Sequence, residues 1–311
     1  MLIELEEAQK KLREGEFENA KLRFSTLLDI EPENREFFSG FFTASYWDNR
    51  LDKILSAKEG KERGLLLNSL FENFKKDFSN RGFSQDRTYE SIRFCILNES
   101  CNQLRDSYLS GGRQILDRET LIILSKNLLL IGDYKNSFDL IQYFSKYHDL
   151  PPEYYFYRAE CLYHKGETKK SSILFRSSFL YFPEYFQPEY ITSSPILEIW
   201  KELAFDYPEE ERRKEYLPVY CLERNIFPEL EEYSKEEINS LYKEIERLLH
   251  GKLNSNPDVN FKIKNRILQF GITILDSFHG KLNSELCRRV REIIQEIDPE
   301  LLDRREEYKK N

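Results

Sequence analysis

The strongest constraint on this 311-residue chain is a period. Gly132 and Gly166 stand 34 residues apart, as do Tyr134 and Thr168, Ser137 and Ser171, Ile141 and Phe175, and Phe144 and Ser178. The series Gly15, Phe17, Ala20, Phe24, Leu27 and Pro32 runs in the same order near the N-terminus. Apolar residues at helical spacing precede each glycine: Leu5, Ala8 and Leu12; then Leu121, Leu124, Ser125 and Leu128; then Tyr155, Ala159 and Leu162. A second helical stripe follows, so each unit predicts two helices joined at a glycine that takes positive φ and reverses the chain. The small residue (Ala20, Ser137 or Ser171) lets the two helices approach closely. The larger residue four places on (Phe24, Ile141 or Phe175) fills the space beside it. Pro32 and Pro183 predict the stop of the second helix, because proline clashes with the preceding turn.

The pattern resembles the tetratricopeptide repeat (TPR), a helical hairpin of 34 residues. Ala8, Gly15, Phe17, Ala20, Phe24 and Pro32 match the family positions of the same number. Clear repeats run over 1–34, 118–151 and 152–185. The later two depart from the pattern: Ser137 and Ser171 replace alanine, Thr168 and Ile141 replace aromatics, and Asp149 stands at the proline position.

The resemblance implies an all-α superhelix whose first helices line a concave groove that takes a peptide or helix of a partner. The family's groove positions fall here on Leu2, Leu5, Gln9, Leu12 and Arg13, on Glu119, Ile122, Lys126, Leu129 and Leu130, and on Glu153, Phe156, Glu160, Tyr163 and His164. The candidate partner-binding residues are therefore Gln9, Arg13, Ile122, Lys126, Leu129, Phe156, Glu160, Tyr163 and His164. Some family members grip a C-terminal carboxylate with Lys and Asn. Leu5, Ile122 and Phe156 occupy one of those groove positions here, so that mode is not expected. Packing against neighbouring helices is the competing reading for each candidate, since aromatic stripes at helical spacing commonly belong to cores.

The remaining chain reads as helical. Residues 1–185 form the repeat region, with degenerate helices over 35–117, and 186–311 a connector followed by a helical C-terminal domain. In the middle segment "REFFSGFFTASYW", "GLLLNSLFENFKKDF" and "SQDRTYESIRFCILNESCNQLRDSYL" predict helices, the last with a Ser or Asp cap and a break at Ser110–Arg113. In the C-terminal part, Ser194 before Pro195 and Ser234 with Glu237 read as helix starts. Ser284 is a weaker one, because Cys287 cannot complete a capping box. "HGKLNS" occurs at His250 and again at His279, and its glycine reads in both places as a helix C-terminal residue. The upstream glycine of a phosphate loop is missing from both.

Composition narrows the function. Only 12 glycines and 11 prolines argue against a turn-rich all-β fold. The net charge of −8, with cations and anions interleaved, argues against a nucleic-acid backbone as partner. "LIILSKNLLLI" is interrupted by Lys126 and too short to span a bilayer, so no membrane insertion is expected. No signal peptide is read at the start, and the five cysteines, an odd number, fit a reducing cytoplasm. Cys161 and His164, three apart, make half a metal site at most; neither metal nor cofactor is expected.

The sequence thus reads as a non-enzymatic adaptor or scaffold with a protein or peptide partner, homo- or hetero-oligomeric assembly being left open. Two alternatives stand beside it. One is a structural subunit of a larger bacterial assembly, such as secretion, pilus or motility machinery. The other is an enzyme with a C-terminal site gathering His250, His279 and acidic residues.

Overall fold

The structure, a computed structural model, describes residues 1–111, 117–146, 149–228, 230–251 and 257–310. Most of the break expected at Ser110–Arg113, together with His148 and the "HGKLNS" loop after Gly251, lies outside them. The fold is all-α, with no strand among the described residues. No described helix is long and apolar enough to cross a membrane. The chain divides into two compact units, Met1–Leu140 and Ile141–Asn311.

The first unit contains α1 (Leu2–Arg13), α2 (Phe17–Ile30), α3 (Arg35–Asp48), α4 (Leu51–Ser56), α5 (Lys61–Asn80), α6 (Arg87–Gly111), α7 (Arg118–Leu130) and the start of α8 (Tyr134–Ser145). Its reversals follow the predicted chemistry. Gly15 takes φ 79° and Gly132 φ 81°. After α1, the Gly15 N–H bonds the Leu12 carbonyl at 3.2 Å and the Glu16 N–H bonds that of Lys11 at 3.0 Å. After α7 the same pair forms from Gly132 to Leu129 (3.1 Å) and from Asp133 to Leu128 (2.8 Å). These crossed bonds satisfy carbonyls that a helix end otherwise leaves open, and they need left-handed backbone at the glycine.

The contacts around each hairpin are equally specific. Ala20 and Phe24 are fully buried. At Gly40 of α3 a Cβ would stand 2.2 Å from the Phe24 ring, so only glycine allows that approach. Side chains cap the starts of α3, α6 and α7. Asn34 accepts from the N–H groups of Glu36 and Phe37, Asp86 from those of Thr88 and Tyr89, and Asp117 from that of Thr120. Inside, Phe74 is fully buried among aromatic rings. Trp47 lies 5.7 Å away, Phe78 5.3 Å and Tyr46 5.2 Å, centroid to centroid.

The second unit contains the end of α8, then α9 (Glu153–His164), α10 (Thr168–Tyr181), two short 3-10 turns at Pro183–Tyr185 and Pro188–Tyr190, α11 (Ser194–Asp206), α12 (Glu210–Glu223), α13 (Lys235–His250), α14 (Pro257–Asp276), α15 (Phe278–Leu282), α16 (Ser284–Ile297) and α17 (Leu301–Lys310). Gly166, at φ 80°, repeats the reversal, with its N–H on the Tyr163 carbonyl and that of Glu167 on Leu162, both at 3.0 Å. One core joins α9, α10, α11, α12 and the connector. There Phe156 lies 5.0 Å from Phe179 and 5.6 Å from Phe186. A second core lies among α12, α13, α14 and α16.

Of the three expected helix starts in this unit, one forms as expected and two take a different form. The full Ser234–Glu237 capping box opens α13. By contrast, α11 begins at Ser194 itself, which moves the cap position to Ser193. Asn283, not Ser284, caps α16, because its side-chain oxygen reaches the Leu286 N–H at 3.1 Å. Gly280 does not end a helix either. It sits within α15, where a Cβ would stand 1.9 Å from the Ile274 carbonyl oxygen.

Candidate functional site

In the first unit, the expected groove positions Leu5, Gln9 and Leu12 of α1 are buried, whereas Leu2 is exposed. Gln9 is buried and donates to Glu36 on α3 (3.3 Å) and to Thr88 on α6 (3.2 Å). The Arg13 guanidinium stacks 3.8 Å above the Phe94 ring of α6. On α7, Leu129 is buried, whereas Ile122 and Lys126 are half-buried. Burial pushes the thiols of Cys95 and Cys101 up to about 12, so neither supplies thiolate near neutral pH.

In the second unit, α9 divides its candidates along its length. Phe156 is fully buried in the aromatic core, where its ring packs the interior. Glu160, Tyr163 and His164 gather at the other end of α9, beside the connector. Glu160 has no exposed surface. Its Oε1 accepts from the Thr192 N–H (2.7 Å), the Thr192 hydroxyl (2.8 Å) and the Ser193 N–H (3.0 Å). His164 Nε2 lies 2.9 Å from that oxygen and 2.9 Å from the Thr192 hydroxyl. A buried carboxylate needs such donors to offset its lost hydration. Here they tie the segment leading into α11 to the end of α9. Oε2 has no partner among the described residues.

Beside this knot lies a cleft of about 240 Å³. Its apolar wall comes from Phe175 on α10, Pro195 and Ile196 on α11, and Ile226, Phe227 and Pro228 after α12. Tyr163 borders it, and Thr168, Ser171, Ser172 and Ser193 bring four hydroxyls to it. The Ser171 hydroxyl is committed to the Ala159 carbonyl at 2.8 Å. The hydroxyl oxygens of Ser172 and Ser193 are buried and have no partner among the described residues. Arg176 fixes the far wall by donating to the Phe227 carbonyl at 3.0 Å and to Asp276 at 2.5 Å. Chemically, the cleft offers an apolar wall and the buried, unpartnered hydroxyls of Ser172 and Ser193, with no carboxylate, amine, guanidinium or imidazole among its lining residues.

Comparison of this chain with protein-family models, with curated proteins and with solved structures gives no match. The functional reading therefore rests on the residues themselves.

His279 lines another cavity, of about 490 Å³, with Tyr233, Glu231, Glu232 and Asp276; His250 is not among its lining residues. The Asp276 carboxylate there is already held by Arg176 and Arg305. Cys161 is fully buried, and the neighbouring His164 directs its Nε2 at Glu160 and Thr192. The repeat resemblance pointed to Glu160, Tyr163 and His164 but missed Ser172, Thr192, Ser193 and Phe227. The one local signal for Ser193 is "TSSP", a run of small hydroxyl residues ahead of a proline that can open a helix.

Proposed function

We propose that this chain is a non-catalytic adaptor of the tetratricopeptide-repeat type, working in the cytoplasm, that holds a peptide or helix of a partner protein. The observation that carries the reading is the triple recurrence of one reversal. Gly15, Gly132 and Gly166 share a φ of about 80°, each with the same pair of crossed hydrogen bonds. Joints of one geometry suit helical hairpins, and stacked hairpins build extended binding surfaces. Ile122 and Lys126 on α7 and Tyr163 on α9 are the half-buried positions through which each unit offers contact.

Selection of a displayed random-peptide library on the full-length chain tests the proposal. A consensus sequence should emerge and bind in solution. Lys126→Ala or Tyr163→Ala should weaken it about tenfold, a loss typical of a contact near an interface centre, with melting temperature unchanged. Failure to enrich any sequence would remove the adaptor reading. Equal affinity in both variants would move the binding surface off the first helices.

A further inference from the structure

We infer that the cleft between α10 and α11 is an anchor pocket, taking one large uncharged apolar side chain of a bound peptide together with the amide beside it. The inference rests on the peptide-adaptor reading and names the site and chemistry that reading leaves open.

Size sets the first limit. Pockets for drug-sized ligands span roughly 300–1,000 Å³. This cleft, at about 240 Å³, falls below that range and suits a single side chain. An apolar side chain seated against Phe175, Ile196, Ile226 and Phe227 removes that wall from water.

Charge sets the second limit. None of the lining residues is Asp, Glu, Lys, Arg or His, so a buried carboxylate, phosphate or ammonium would find no counter-charge among them. The occupant is therefore uncharged within the cleft.

The hydroxyls set the third. Ser193 is 1% exposed, yet its Oγ has no partner among the described residues. The Ser172 Oγ on α10 is likewise buried and without a partner among the described residues. Buried hydroxyls are nearly always satisfied, so two open ones in a single cleft call for a ligand. A serine hydroxyl both donates and accepts. A peptide amide presents one carbonyl and one N–H, which matches the pair. Glu160 acts as a positioning residue here, because its bonds to Thr192 and Ser193 hold the cleft's polar edge in place.

Methyl NMR of the full chain, labelled at isoleucine δ1, tests the pocket with N-acetyl-phenylalanine amide as probe. The Ile196 and Ile226 methyls should shift saturably, while Ile54 and Ile92 of the first unit stay still. Free zwitterionic phenylalanine should bind at least tenfold more weakly, the cost of bringing charge to an uncharged cleft. Ser172→Ala and Ser193→Ala should each weaken the capped amide about three- to tenfold, the usual worth of one hydrogen bond. Should Ser193→Ala disturb the fold, Ser172→Ala on the half-buried wall carries the test alone. Unmoved Ile196 and Ile226 methyls, equal binding of the zwitterion, or unchanged affinity in the serine variants would each overturn the pocket. If library-selected peptides bind both serine variants as they bind wild type, the pocket assignment falls and the adaptor stands. If the capped amide binds as expected but no peptide is ever selected, the adaptor falls and the peptide assignment of the pocket falls with it.

Discussion

The Ser171 hydroxyl donates a 2.8 Å hydrogen bond to the carbonyl of Ala159, twelve residues earlier and on the facing helix of the hairpin. Ser137 does the same to Ser125 at 3.0 Å, again across twelve residues. These serines occupy the close-contact position that Ala20 fills in the first hairpin, and all three residues are buried. The serine therefore retains the small volume that close approach requires and adds a bond between the two helices. Ser137→Ala and Ser171→Ala should each lower stability by about 0.5–1.5 kcal/mol in urea unfolding, the net worth of one such bond. The carbonyl left behind keeps its own helix partner, which holds the cost in that range. A neutral outcome in both variants would show that helix proximity alone fills the position.

Phe24 and Gly40 form a matched pair, since the ring lies where a side chain on α3 would start. Phe24→Ala should cost about 3–5 kcal/mol, as for other buried aromatics. Gly40→Ala should cost about 1–3 kcal/mol from overpacking, less about 0.5–1 kcal/mol regained from better helix propensity. Phe24→Leu should recover part of the Gly40→Ala loss, because the smaller side chain leaves room for the new methyl. Urea unfolding of the two single variants and the double variant measures the coupling. If the losses simply add, the two residues do not compete for the same space.

The hairpins were legible because their determinants are local. A glycine at a helix end, a small residue five places on and a large one nine places on act within one turn and its two helices. The long-range contacts were not legible in this way. Gln9 reaches Thr88 across 79 residues and Ser193 reaches Glu160 across 33, and both pairings depend on the path taken between. Periodicity placed Phe156 and Glu160 on one first helix. It could not show that Phe156 enters the aromatic core, or that Glu160 binds the connector. In the degenerate segment the signal is spread over Tyr46, Trp47, Phe74 and Phe78, whose packing holds the helices together without a fixed spacing. The cleft is less legible still, because its walls come from three parts of the chain.

Glu160 accepts from two backbone N–H groups of the segment leading into α11, those of Thr192 and Ser193. Glu160→Ala should cost about 2–5 kcal/mol, because an unsatisfied buried donor costs about 1–3 kcal/mol. Glu160→Gln keeps an acceptor in place and should cost less than half as much. Hydrogen exchange separates this role from general packing. The amides of Thr192 and Ser193 should exchange faster in both variants, whereas those of α13 and α14 should not change in Glu160→Gln. Unchanged protection at Thr192 and Ser193 would show that the carboxylate does not fix the segment.

Asp276 supplies the pH dependence. Burial alone would raise its carboxyl, but hydrogen bonds and charge from Arg305 and Arg176 outweigh that and hold it below the ordinary value of 3.8. Both guanidinium groups reach Oδ2 at 2.5 Å and are themselves 4% exposed. Because the folded carboxyl titrates below the unfolded one, its contribution is fully present above about pH 4. It is lost as pH falls from there through the lower folded value. Asp117 acts in the same direction at the surface. Its bonds to Lys61 and Thr120 hold it down to about 2, but solvent screening makes its share small. Asp276→Asn should lower stability by about 3–5 kcal/mol near neutral pH, because it leaves two buried cations without their anion. It should also flatten the acid limb of the stability curve below about pH 4, where the native carboxylate is otherwise protonated as pH falls through its lowered value. Urea midpoints collected across that interval for both proteins measure the effect. Parallel curves would mean that the acid sensitivity of the second unit arises elsewhere.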